Sequence, residues 1–224
     1  MREIFETLQQ GGWSMILLGI CSLTALTIII ERFFALRRAS VIDPVVVDVI
    51  EEYVGESSAE TAARICRSRR GALARVVEEA VHVRRRDAAH VREAVAAAAH
   101  VQLGRLGRGL TVLEIIANVS PLIGLLGTVL GMHTVFKAIT AQGIGNPQVL
   151  SEGISEALIT TIAGLCVAIP ALACHSWFSQ RVDDLAAEMR GHVTKLLAKL
   201  QVIDENAAGA AADAATGRRE IPVR

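Results

Sequence analysis

The reading of the chain turns on Gly153-Ile154-Ser155-Glu156-Ala157-Leu158-Ile159-Thr160-Thr161-Ile162-Ala163-Gly164-Leu165-Cys166-Val167-Ala168-Ile169-Pro170-Ala171. Residues 157–180 carry no formal charge, and neither do residues 138–151 before them. A run of this length and polarity crosses the ~30 Å hydrocarbon core of a bilayer as a helix. A carboxylate set inside such a helix costs several kcal/mol unless it faces protein, a partner or a water path. Glu156 is therefore the first candidate for ion handling.

Two more blocks read the same way. Residues 13–30 and 115–136 contain no Asp, Glu, Lys or Arg. The 52% of hydrophobic residues are gathered into these blocks instead of recurring at the period of one soluble core. The expected fold class is an all-α membrane protein with three transmembrane helices and long cytoplasmic helical extensions. The first block lacks a basic n-region and a small-residue cleavage pattern, and it runs directly into Glu31-Arg32-Phe33-Phe34-Ala35-Leu36-Arg37-Arg38. It reads as a retained span and not as a signal peptide.

Orientation follows from the basic residues. Of the 23 Lys and Arg, 14 lie in residues 31–109 and 7 in residues 179–224, leaving Arg2 and Lys137. Arg32, Arg37 and Arg38 close the first span, Arg105 and Arg108 precede the second, and Arg181 follows the third. The positive-inside rule puts these in the cytoplasm. The expected layout is a periplasmic N-terminus (1–12), a first span out to in (13–36), a cytoplasmic helical segment (37–108), and a second span in to out (109–139). A periplasmic loop (140–146), a third span out to in (147–178), a cytoplasmic helical extension (179–203) and a disordered tail (204–224) follow. Trp13 and Trp177 fall at opposite interfaces, where indole rings anchor helices.

Several function classes are excluded. A formal net charge of zero argues against nucleic-acid binding, and the Arg84-Arg85-Arg86 run is diluted by nearby acids. Cys21, Cys66, Cys166 and Cys174 form no Cys-x-x-Cys pair and read as free thiols. His82, His90 and His100 fit no i, i+4 metal pair, so neither a metal nor another cofactor is expected.

Within the cytoplasmic segment, residues 72–106 read as one helical run, with no Gly or Pro before Gly104. After the third span, Phe178, Val182, Leu185, Met189, Val193, Leu196 and Leu200 form an apolar seam at coiled-coil spacing. That seam needs a partner, which the 72–106 helix is expected to supply. From Asp204 onward the periodicity is lost.

The second span contains Ser120-Pro121-Leu122-Ile123-Gly124-Leu125-Leu126-Gly127-Thr128-Val129-Leu130-Gly131. Gly127 and Gly131 make a Gly-x-x-x-Gly pair that lets membrane helices approach closely. On the third span Glu156, Thr160, Gly164 and Ala168 share an i, i+4 ridge. Asn146-Pro147 reads as N-cap and N1, which puts Glu156 ~14 Å along the third helix and Thr161 ~7.5 Å deeper, near the level of Thr128. His133 and His175 lie near opposite faces of the membrane and are expected to serve packing or the interface. Glu114, at the cytoplasmic entrance of the second span, reads as an interfacial charge.

The 120–131 string, together with residues 153–165 and Ala168-Ile169-Pro170-Ala171, resembles the MotA/TolQ/ExbB proton-channel family. Ile30-Glu31-Arg32 is similar to its ExbB and TolQ branch. The resemblance implies a bacterial inner-membrane protein that assembles as a homo-oligomer, typically a pentamer, around a dimer of a single-span ExbD/TolR-like partner. Proton flow would then drive mechanical work on a TonB/TolA-like or motility client that reaches the periplasm. The chain itself would perform no covalent chemistry and would not be an enzyme.

Residue by residue, Glu156 matches the family's membrane glutamate, Thr128 its second-span threonine and Thr161 its third-span threonine. These would line the path of a proton carried by an aspartate of the partner. Helical geometry alone favours Thr160, roughly 40° from Glu156, over Thr161, roughly 140° away, so Thr160 is a further candidate. Gly124, Gly127, Gly131, Gly164 and Pro121 are expected to serve helix packing. Two alternatives use Glu156 differently. A secondary transporter would make it an ion or substrate ligand, but three spans without an inverted repeat give little cavity. A passive membrane scaffold would make it a structural charge, with Lys137 as the basic residue of the outer half.

Overall fold

The computed structural model describes residues 12–52, 56–69, 71–142 and 147–216. Residues 1–11, 143–146 and 217–224, and with them most of the expected periplasmic N-terminus and loop, lie outside the described residues. The described residues are helical, with no strand among them. In chain order the helices are α1 (Gly12–Ala35), α2 (Arg38–Val41), α3 (Pro44–Glu51), α4 (Glu56–Ser68), α5 (Ala72–Val83), α6 (Ala88–Leu106), α7 (Leu110–Gln142) and α8 (Pro147–Thr216). Among the described residues three segments are long and apolar enough to cross a membrane: Trp13–Ala35 in α1, Ala88–Thr140 through α6 and α7, and Gly153–Leu200 in α8. Pro147 opens α8 at the position where a missing N–H costs nothing.

The chain divides into two compact units. The first holds residues up to Phe34 together with Gly107–Gln180, and the second holds Ala35–Leu106 with the residues from Arg181 on. In the first unit, Met15 and Leu18 of α1 cluster with Ile123 of α7, and Cys21, Ile159 and Ala163 pack against them. At the far end of α1, Phe33 stacks on Trp177 with ring centroids 6.4 Å apart. Trp177 also meets Phe178 at 5.0 Å. Gly109, just before α7, has φ +83, and a Cβ there would also lie 3.3 Å from Arg32 Nε. Glycine suits that turn on both counts.

In the second unit α5 is the hub, touching α2, α3, α4 and α6. Leu73, Ala74, Val76, Val77, Ala80 and Val81 of α5 are all buried, so it is covered on more than one side. Gly71 caps its start, where a side chain would press on Val41 O at 3.3 Å.

The expected single helix over residues 72–106 is instead two. Arg84 Nη1 donates to Val81 O at 3.0 Å and Arg86 N donates to Val83 O at 2.9 Å, which closes α5. α6 starts at Ala88 and packs back on α5, burying Val91 and Val95. Two short helices can bury their apolar faces on one another, which one straight helix cannot do with itself.

Most of the seam on α8 is buried, with Leu185, Met189, Val193, Leu196 and Leu200 all inside and Val182 half-buried. Its polar contacts go to α2 and α3. Arg38 clamps Glu188 through Nε at 3.0 and 3.1 Å and also through Nη2. Lys199 Nζ donates to Ile50 O at 3.0 Å and to Glu51 O, placing a cation at the carbonyl end of α3. The helix continues to Thr216, through the first part of the stretch expected to be unstructured. Alanine is abundant there, and it has the highest helix propensity of any residue.

The hydrogen bond from Arg38 holds the Glu188 carboxyl below its ordinary value of 4.5, against a smaller opposing push from burial. A depressed acid stabilises the folded state above its unfolded pKa, and that contribution fades as pH falls through the folded value. Glu188→Gln should therefore lower the thermal unfolding temperature at pH 7. The gap from the parent chain should close as the pH is taken from about 4.5 downward, and a gap that stays constant to pH 3 would contradict the assignment.

Candidate functional site

The candidate residues sit where α7 and α8 cross, in the first unit. The buried side of α7 runs Leu110, Leu113, Ala117, Ser120, Gly124, Gly127, Gly131, Val135, spaced three or four apart. The facing side of α8 runs Ala157, Thr160, Gly164, Ala168, Ala171. Both ridges are small where they meet, so the backbones come close. A Cβ on Gly124 would lie 2.9 Å from Thr160 O and 3.1 Å from Thr161 Cα. On Gly164 it would lie 2.7 Å from Ser120 O, and on Gly131 3.2 Å from both Ala157 Cβ and Gly153 O. These contacts pair the helices antiparallel in one register, with 120 opposite 164 and 131 opposite 157. Pro121 lies inside α7, beside Ser120 in this contact, and is half-buried.

Gly127 is the tightest of the α7 glycines. A Cβ there would meet Thr160 Oγ1 at 2.5 Å, Thr160 Cβ at 2.7 Å and Ser14 Oγ at 3.1 Å. Ser14 of α1 is 8% exposed, so all three spans converge at this level on hydroxyl and glycine. Ser14 was not singled out in the sequence, because one serine in an apolar run carries no signal until its neighbours are known.

The candidate hydroxyls are held in different ways. Thr160 is 1% exposed, and its Oγ1 donates to Ala157 O at 2.8 Å. Thr161, half-buried, donates across to Gly124 O at 3.3 Å. Thr128 is also half-buried and donates to Leu125 O on its own helix at 2.6 Å. Thr128 and Thr161 thus lie about one turn apart along the crossing without bonding to each other. Thr160 belongs to the packing ridge, although it is the hydroxyl nearest Glu156 on the helical wheel.

Glu156 is half-buried at the edge of that ridge. On the wheel it shares its line with Ala163, Val167 and Cys174, which are also half-buried. No hydrogen bond or ion pair joins it to a side chain among the described residues, Lys137 included.

The same antiparallel register carries Glu114 of α7 to His175 of α8, with Oε2 and Nε2 3.9 Å apart. From the sequence alone the two are expected to be separate interfacial residues. His133 on α7, by contrast, faces outward.

Among the described residues no group of three or more His, Cys, Asp or Glu is arranged to hold a metal. Three apolar helices, two of them locked through glycine and flanked by a membrane carboxylate, define an all-helical membrane protein. Residues 67–191 match the MotA/TolQ/ExbB proton channel family, and the chain belongs to that family. It is 34% identical over 193 residues to an ExbB-like biopolymer transport protein of Synechocystis, covering 83% of this chain and 76% of that one. A biopolymer transport ExbB homologue of Methanothermobacter thermautotrophicus is 30% identical over 182 residues, 81% of this chain and 64% of that protein. The TolQ protein of the Haemophilus influenzae Tol-Pal system is 44% identical over 71 residues, covering 32% of this chain and 31% of that one.

Gly127→Ala should destabilise the chain by about 1–3 kcal/mol, because the new methyl has nowhere to go without moving Thr160. Gly104→Ala and Gly191→Ala, where a Cβ meets nothing within 4 Å, should be neutral or should stabilise by up to about 1 kcal/mol through helix propensity. Thermal unfolding of the three variants in detergent separates the cases, and equal behaviour at Gly127 and Gly104 would refute the close-packing account.

Proposed function

We propose that the chain is the proton-motive-force-driven, energy-transducing subunit of an ExbB/TolQ-type complex. Glu156 carries the reading: it is an ionisable group in an apolar span, at the edge of a glycine-locked helix pair, in a chain of a proton-channel family. Three relatives named for biopolymer transport or for the Tol-Pal system support the ExbB/TolQ branch.

In this reading several copies of the chain, five by family resemblance, surround a single-span ExbD/TolR-like partner in the inner membrane. The N-terminus is periplasmic and the C-terminus cytoplasmic, as the arginines at the span ends favour. The partner's aspartate carries the proton past Glu156, Thr128 and Thr161, and the resulting motion works on a TonB/TolA-like or motility client. The chain's own contribution is electrostatic and mechanical, without covalent catalysis.

The three polar residues divide the task according to their surroundings. Glu156 has no side-chain partner among the described residues and supplies fixed charge or a transient proton site on the face that meets the partner. Thr161 and Thr128 satisfy their hydroxyl protons on backbone carbonyls, which leaves their oxygen lone pairs able to accept from water or from a protonated carboxyl. Thr160 is buried under Gly127 and acts through packing.

The test is co-expression with the neighbouring single-span subunit and measurement of proton-dependent work. Glu156→Gln and Glu156→Ala should each lower coupling by at least about 10²-fold while leaving the assembled complex intact on size-exclusion chromatography. Thr161→Ala and Thr128→Ala should lower it less, and Thr160→Ala should act mainly through stability. Full coupling in both Glu156 variants would sink the assignment.

A further inference from the structure

The Glu114–His175 contact is not used by the function just proposed. Residues 115–136 and 157–180 contain no Asp, Glu, Lys or Arg, and their histidines are His133 and His175. Two ionisable groups from two such helices nevertheless meet at 3.9 Å. The helix pair that carries Glu156 near one end thus carries a carboxylate–imidazole pair near the other. Glu156 and His175 are 19 residues apart on α8, about 28 Å of helix rise, close to the thickness of the hydrocarbon core.

The two partners differ in access. The His175 side chain is 20% exposed and the Glu114 side chain 54%. The imidazole is therefore the sheltered member of the pair and the carboxylate the more exposed one. An imidazole can both accept and donate a proton, and a carboxylate beside it offers that proton an outlet. A gap of 3.9 Å is long for a direct hydrogen bond but is spanned by a small rotamer change or one water.

Other ionisable groups surround this end. On α1, Arg32 pairs with Glu31 at 3.3 Å, and its Nε lies against Gly109, five residues before Glu114. Arg108 precedes α7, Cys174 adjoins His175, and Arg181 is the next charge along α8.

We propose that Glu114 and His175 form a second proton-binding site, the inner station of the path, at the end of α7 and α8 opposite Glu156. The inference rests on the proton-coupled reading above. A proton leaving the interior is taken up at His175 Nε2, passes to Glu114 Oε2 and is released to water. No other bond changes, and both groups return to their starting state.

The experiment reconstitutes the full chain with its single-span partner in liposomes and follows proton flux with a pH-sensitive dye while the pH on the arginine-rich side is varied. Glu114→Gln and His175→Gln should each slow flux by about tenfold and flatten its dependence on that pH. The double variant should be no slower than either single, because both act on one site. Glu114→Asp should restore flux, since it keeps the carboxylate. Unfolding temperatures near the parent's for the two Gln variants exclude a folding defect, and Glu156→Gln gives the floor of the assay. Absence of flux in the parent complex would overturn the function and the station with it. Parental flux with an unchanged pH profile in both Gln variants would overturn the station alone.

Discussion

The close approach of α7 and α8 is the constraint on which the first unit depends. Between helices in lipid there is little hydrophobic drive to associate, because lipid tails are as apolar as leucine. What holds them is van der Waals contact summed over backbones near enough to touch, which requires small residues on both ridges. The glycines at 124, 127, 131, 153 and 164 meet that need together. At each of them a built Cβ would come within about 3.3 Å of the opposite helix. The resulting register fixes everything else at the crossing. It sets Thr161 beside Gly124 O, brings Ser14 to Gly127 and carries Glu114 to His175.

This constraint explains which features were legible in the chain. The spans could be read from composition because a bilayer-crossing helix must be apolar all round, and no tertiary detail alters that. The packing ridge was also readable, since small residues at i, i+4 spacing serve few other purposes in lipid. The division of the α5–α6 segment was not readable. Residues 84–87 contain neither Gly nor Pro, and the helix ends there only because Arg84 and Arg86 close a turn that lets two valine-rich faces meet. The helical stretch after Asp204 was missed for a related reason. Loss of apolar period signals loss of a packing face, but an alanine-rich segment can remain helical by propensity alone.

The hydroxyls show where a helical wheel reaches its limit. By angle Thr160 is the natural companion of Glu156, and Thr161 points elsewhere. In the structure Thr160 is 1% exposed, pinned between Gly127 and its own helix. An angle on one helix says which residues share a face, but it does not say whether that face is open. The register with α7 decides that, and register is a property of two helices. The same limit hid the Glu114–His175 pair, whose members are 61 residues apart in sequence and unremarkable alone.

The position of Glu156 bears on how the chain could work. A membrane carboxylate at the centre of the ridge would be sealed by Gly124 and Gly131 and would have to remain neutral or find a buried cation. One facing lipid would carry its desolvation cost with nothing to offset it. Glu156 is not at the centre of the ridge. It stands at the ridge's edge, on a half-buried line with Ala163, Val167 and Cys174, none of which carries formal charge. A carboxylate with no partner among the described residues is stabilised when a neighbouring helix brings a proton or a hydrogen-bond donor. In the proposed complex, stability and function then share one origin, because the contact that relieves Glu156 is also the contact through which the proton passes.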